Sequence, residues 1–133
     1  MEPLVIGKHC TVELLETVPC VVIRWNGLPP SEEFRKGCLA VLDLMKCNGL
    51  TKVITDNTMA KVFSMDDQRW LNQEWLPKAQ KQGYRYSAVL VKENDPFVSF
   101  AVKNIMSKRD ATHFQAEFFY HMNDAVDWLS GVA

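Results

Sequence analysis

A short β-branched run, Lys52-Val-Ile-Thr-Asp56, breaks off in Asn57-Thr58, and a good helix cap follows at Ser64. This feature narrows the fold more than any other. A strand that ends in polar residues and feeds a helix opens a crossover. Crossovers build parallel sheets, whose ligand and partner sites lie at the carboxyl ends of the strands. The flanking sequence agrees. Residues 11–17 and 20–25 are β-prone runs parted by Val18-Pro19, which predicts an antiparallel strand pair. Gly27-Leu-Pro-Pro30 then breaks the sheet, and Ser31 is the expected cap of a helix with Glu32 and Glu33 in its first turn. Phe34, Cys38, Leu42 and Met45 recur at helical spacing until Asn48-Gly49 stops the helix.

Beyond the strand at 52–56, residues 58–63 read as a loop, and Ser64-Met-Asp-Asp67 resembles a capping box with Asp in place of Glu. The helix that follows runs toward Gly83. Its interior Pro77 lacks an N–H and crowds the Gln73 carbonyl, which predicts a kink near Trp75. Residues 84–91 form the next expected strand. Asp95-Pro96 opens a helix reaching Lys108, with Phe97, Ala101 and Ile105 facing inward. Residues 114–118 alternate as a half-exposed edge strand does, and Asn123 caps a last helix carrying Val126 and Leu129. The order β-β-α-β-α-β-α-β-α is that of a single α/β domain over residues 1–133, with 1–10 as an N-terminal extension. It implies a mostly parallel sheet, an antiparallel N-terminal strand and right-handed crossovers.

At 133 residues the chain closes a real core without metal or disulfide staples. Its net charge of −1 removes the bulk electrostatic case for nucleic acid. No apolar run approaches a bilayer span, and Met1-Glu-Pro-Leu4 lacks the basic start of a signal peptide, so a cytoplasmic protein without integral membrane association is expected. Cys10, Cys20, Cys38 and Cys47 form no C-x-x-C pair and read as free, mostly buried thiols. His9, His113 and His121 lack the spacing that lets two imidazoles share a metal, and no cofactor motif is present. Asp56 with His113 or His121 is the nearest approach to an acid–base pair. Nothing in the sequence brings them together, so the chain is read as non-enzymatic.

The strand ending Val53-Ile-Thr-Asp56-Asn57-Thr58, the helix with Trp70 and Trp75-Leu-Pro77, and the closing Ala125-Val-Asp-Trp128-Leu129 resemble the STAS-like (SpoIIAA-like) family. Its members are similar to bacterial anti-sigma-factor antagonists and share a fold with the lipid-binding domain of SEC14-type carriers. The resemblance implies a phosphorylatable hydroxyl just after the Asp that ends the central strand. That Asp is Asp56, Thr58 is the nearest hydroxyl, and Asn57 stands where the antagonists usually carry Ser. The usual Asp-Ser-Ser/Thr-Gly run therefore lacks its first Ser and its Gly.

Two functions follow as expectations. One is a regulatory module that binds a partner protein through Asp56, Asn57, Thr58, Phe63, Ser64 and the following helix. The other is a carrier of a small hydrophobic ligand in a pocket formed by Trp70, Trp75 and Tyr86, which requires a cavity of several hundred Å3, on the order of 300 or more. Helices gathered on one sheet face leave the other thinly covered. A homodimer through sheet or helix surface left apolar in this way is expected, with the aromatic-rich strands and Trp25 as candidates for the contact; the alternative is a monomer whose Met1 to Cys10 segment folds back over that surface.

Overall fold

The computed structural model describes residues 2–109 and 114–132. One six-stranded sheet runs through it in the order β1-β2-β3-β4-β5-β6, so that each strand lies beside its predecessor in the chain. The strands are β1 (Leu4–Gly7), β2 (Cys10–Leu15), β3 (Cys20–Gly27), β4 (Lys52–Ala60), β5 (Tyr86–Leu90) and β6 (Gln115–Phe119). The first two pairings are antiparallel and the last three parallel. The predicted extension at residues 1–10 therefore contributes an edge strand, β1, lying in the plane of the sheet and not folded back over a face.

The helices α1 (Ser31–Asn48), α2 (Met65–Trp70), α3 (Leu76–Lys81) and α4 (Pro96–Ser107) cross between parallel strands on one face, as same-handed crossovers in a sequential sheet require. Here Val21, Ile23, Trp25 and Val53 meet Phe34, Cys38, Val41, Met45 and Trp75 in the main core. Val89 and Val91 meet Val98 and Val102 of α4 on the same side. The last helix, α5 (Met122–Gly131), follows the edge strand and has no further strand to reach. It folds onto the opposite face, where Ala125 and Leu129 cover Val22, Ile54, Ala88 and Leu90. Lys52 Nζ donates to the carbonyls of Leu129 (2.7 Å) and Val132 (3.0 Å), satisfying the free end of α5.

The second face is therefore not bare, and its apolar part lies under α5. Where α5 does not reach, it carries Thr11, Glu13, Arg24 and Asp56, with Arg24 bonded to Glu13 and its Nε 3.8 Å from Asp56 Oδ2. Charged residues occupy the open area because a half-covered face must remain wetted there. The open part of this face is therefore not the apolar sheet surface expected for a dimer contact. Trp25 is 4% exposed and stacks on Phe34 at 5.0 Å, so it belongs to the core and not to an intersubunit contact.

Local signals set most element ends. Gly49 takes the left-handed conformation (φ 62°) and Leu50 N–H returns to the Met45 carbonyl. Asp95 Oδ1 accepts from Val98 N–H ahead of Pro96. The kink before Pro77 is a π turn, Leu71–Trp75, in which Leu76 N–H reaches the Leu71 carbonyl five residues back. Ser64 Oγ accepts from Asp67 N–H at 3.1 Å. Ser64→Ala is expected to lower stability by about 1 kcal/mol; an unchanged midpoint in urea denaturation would show the cap to be idle.

Four local expectations are corrected. Pro30, not Ser31, precedes α1, and the Ser31 hydroxyl instead donates to Asp67 Oδ2 (2.9 Å), tying α1 to α2. The last helix starts at Met122 after His121, ahead of Asn123. The segment after Asp56 is strand as far as Ala60, not loop. Along α4, Val98, Val102 and Ile105 face inward while Phe97 is 79% exposed. The helix has two apolar stripes, and periodicity alone selects neither.

Candidate functional site

The carboxyl end of β4 owes its shape to a bulge. Opposite β3, Arg24 pairs with Asp56 and Asn26 with Met59, so three steps along β4 match two along β3. The extra residue frees the Thr58 N–H from the ladder. Asp56 Oδ1 accepts it at 3.0 Å and also accepts from Thr58 Oγ1 at 2.6 Å. Asp and Thr are two residues apart because that is the reach of an Asx-type turn. Asn57, between them, points to the opposite side and is 2% exposed.

The predicted partner-binding set is thereby divided. Asp56 and Thr58 bond one another on the α5 side, Asn57 lies in the interior, and Phe63 is a core residue 4.9 Å from Phe34 and 5.5 Å from Trp25. Only Ser64 is well exposed, at the cap of α2. Asn57 and Phe63 are corrected as contact residues. Extended chain alternates its side chains, so one polar and one apolar position in this segment turn into the core.

The aromatic trio is likewise not one pocket. Trp75 is buried, and its Nε1–H donates to the Cys38 carbonyl at 2.7 Å. Trp70 lies outside it, edge-on to Phe34 and beneath the Arg35 guanidinium at 5.2 Å. Tyr86 packs on the other face of the sheet against Trp128. A cavity does adjoin Trp75, bounded by Asn57, Leu71, Ile105 and Arg109, but its volume is about 60 Å3. This is far below the several hundred Å3 needed to bury a lipid-sized ligand.

A wider apolar feature lies elsewhere on the surface. Phe97 (79% exposed), Phe100 (74%), Met65 (60%) and Val62 (42%) converge on a groove of about 570 Å3 between the start of α2 and the outer face of α4. Gln68, Met65 and Asn104 carry the groove on into a smaller cleft flanked by Arg69 and Lys108. These apolar side chains gather at the carboxyl edge of the parallel sheet, beyond β4 and β5. Sequence reading missed the Phe97–Phe100 pair, although its i, i+3 spacing in an amphipathic helix is the available signal.

No family model matches the chain, and no curated protein matches it in sequence. Solved structures do match. The anti-sigma factor antagonist SpoIIAA in its unphosphorylated form superposes with a TM-score of 0.62, over 92% of this chain and 99% of SpoIIAA, at 15% identity. The fold is STAS-like. An uncharacterised protein of the DUF3478 family from Shewanella loihica PV-4, described as having a SpoIIAA-like fold, matches with a TM-score of 0.60, at 17% identity over 90% of this chain and 91% of that one.

Among the described residues no three His, Cys, Asp or Glu side chains are placed to share a metal ion. No described helix is long and apolar enough to cross a membrane. His113 lies outside the described residues, and His121 follows β6, separated from Asp56 by the whole of β5. Burial pushes the Cys10 and Cys20 thiols up to about 12 and about 11 and drives that of Cys38 upward as well, so all three act as small apolar groups.

Proposed function

We propose that this STAS-like domain is a non-enzymatic regulatory module whose groove between α2 and α4 receives an amphipathic helix of a partner protein. The convergence of Val62, Met65, Phe97 and Phe100 in one solvent-exposed groove carries this reading. Two helices flanking an apolar trough accept a third, with anchors at i, i+3/i+4 and i+7. Met65 lets the wall adapt, while the two phenyl rings supply anchoring area. Lys108 at the polar end, beside an Arg69 already paired with Asp66, favours a partner helix with a carboxylate at one terminus. The expected loop contact at Asp56 to Ser64 is thus narrowed to Val62, Ser64 and Met65, continued by α4.

Ser64 stands exposed beside the groove, whereas the Thr58 hydroxyl is held by Asp56. In this reading Ser64 is the position at which a phosphate would govern docking, by adding charge at the groove rim. Phosphate found on Thr58 and not Ser64 in protein isolated from its source cells would reverse that assignment.

The groove is tested with a photo-crosslinking residue at position 100, against a control at exposed Lys36 on α1. Position 100 should capture helical peptides with spaced apolar residues and an acidic end. Against a captured peptide, Phe97→Ser with Phe100→Ser should weaken binding about 100-fold or more, because two aromatic anchors are lost at about 2 kcal/mol each. Folding stability should change by less than about 0.5 kcal/mol per exposed site. Equal affinity in the double variant, or capture only of a second copy of this chain, would overturn the proposal.

A further inference from the structure

We infer that the cavity between α4, the π turn and the sheet is a binding site for a short-chain carboxylate, recognised by Arg109 and Asn57. This inference stands independently of the docking groove, which lies on the outer side of α4.

Two buried side chains bring unsatisfied polar atoms to this chamber. Arg109 is 9% exposed; its Nε–H donates to Asn72 Oδ1 at 3.2 Å, and its guanidinium lies 4.9 Å over the Phe114 ring. Its Nη1 is buried without a hydrogen-bond partner among the described residues, and the ion pairs formed there all involve other groups. Asn57, 2% exposed, also has an unpartnered Oδ1. Both residues line the cavity. A guanidinium N–H buried without an acceptor is costly to leave unanswered, and an anion that accepts from it offsets that cost. A carboxylate answers it with two oxygens that match the guanidinium fork. With the Asn57 amide turned so that Nδ2 faces the cavity, its N–H donates to the same guest.

The remaining walls decide what the carboxylate is attached to. Ile23, Val41, Val53, Val102 and Ile105 make most of the remaining wall hydrocarbon, which suits a short alkyl chain, and Thr55 and Tyr84 are the further hydroxyl-bearing residues of the lining. The volume of about 60 Å3 corresponds to roughly four or five waters at about 10–15 Å3 each, so the guest is of acetate to butyrate size and not a fatty acid. The π turn completes the arrangement. It sets Leu71 and Trp75 on the wall and Asn72 beside α4, where Nδ2 donates to the Ile105 carbonyl at 3.1 Å while Oδ1 holds Arg109. Asn72 is thus a positioning residue that aims the guanidinium.

The test is an NMR titration of the full chain with sodium formate, acetate, propionate and butyrate, with sodium chloride at matched ionic strength as control. The expected result is saturable shifts of the Trp75 indole N–H, the Asn57 amide and the Arg109 Nε–H, strongest for acetate or propionate, and at least tenfold weaker binding of acetamide and propionamide. Arg109→Gln should abolish the shifts. The acid-against-amide comparison uses only the unaltered protein and decides the matter if that variant fails to fold. Acids no better than their amides, chloride as effective as acetate, or shifts confined to surface lysines would each overturn the assignment.

Discussion

Replacing Phe34 with alanine is expected to destabilise the domain by about 3–5 kcal/mol, a large part of the roughly 5–15 kcal/mol that holds a domain of this kind together. Phe34 sits in the first turn of α1 with 1% of its surface exposed. Its ring meets Trp25 at 5.0 Å, Phe63 at 4.9 Å and Trp70 at 6.2 Å, so one side chain joins β3, the approach to α2 and α2 itself. Truncation removes the buried ring and three aromatic contacts, each worth about 0.5–1.5 kcal/mol beyond its area. Three large neighbours tied to three different elements cannot collapse together into the gap, which places the cost toward the upper end. Urea denaturation measures it directly. A loss below about 1 kcal/mol would mean that the aromatic cluster is not the keystone that its geometry makes it.

Leu129→Asp should be at least as damaging, above about 4 kcal/mol, by a different route. Leu129 is fully buried where α5 meets Val22, Ile54, Ala88 and Leu90. A carboxylate there loses the leucine's burial and has no cation supplied, since the nearby Lys52 ammonium is already engaged by the Leu129 and Val132 carbonyls. The expected outcome is a domain in which α5 undocks before the remainder unfolds. Amide exchange should accelerate first in α5 and in β5 and β6, where the helix lies, and an apolar dye should bind the uncovered sheet. Uniform loss of protection across the whole sheet would show instead that α5 is inseparable from the rest of the fold.

What could be read from the sequence divides along a physical line. Signals that act within a turn of their source were legible: Ser64 bonding Asp67, Asp95 ahead of Pro96, Gly49 in the left-handed region and the disturbance ahead of Pro77 all appear where local chemistry puts them. The parallel order was legible because alternating elements leave few alternatives. Features set by register were not. Nothing local says that β4 continues through a bulge to Ala60, and without the bulge Asn57 and Phe63 look like loop residues. Tyr86 and Trp75 seem close in sequence, yet they lie on opposite sides of the sheet. The phase of α4 was lost between two apolar stripes, and with it the exposed Phe97–Phe100 pair. Arg109 carries no local signal; its Nε–H is held by Asn72 from the distant π turn, and its guanidinium lies over Phe114.

The strand order has a further bearing on how the molecule is made. Because every strand pairs with the one before it, each can add to an edge that is already waiting as the polypeptide leaves the ribosome, and no strand must wait for a distant partner. The covering of the second face does not share this advantage. Val22, Ile54, Ala88 and Leu90 are in place once β5 has joined, but the helix that shelters them is translated only after β6. For that interval the nascent sheet presents an apolar face to everything around it, and this is the stage at which a chaperone would be most useful and a stalled chain most prone to aggregate.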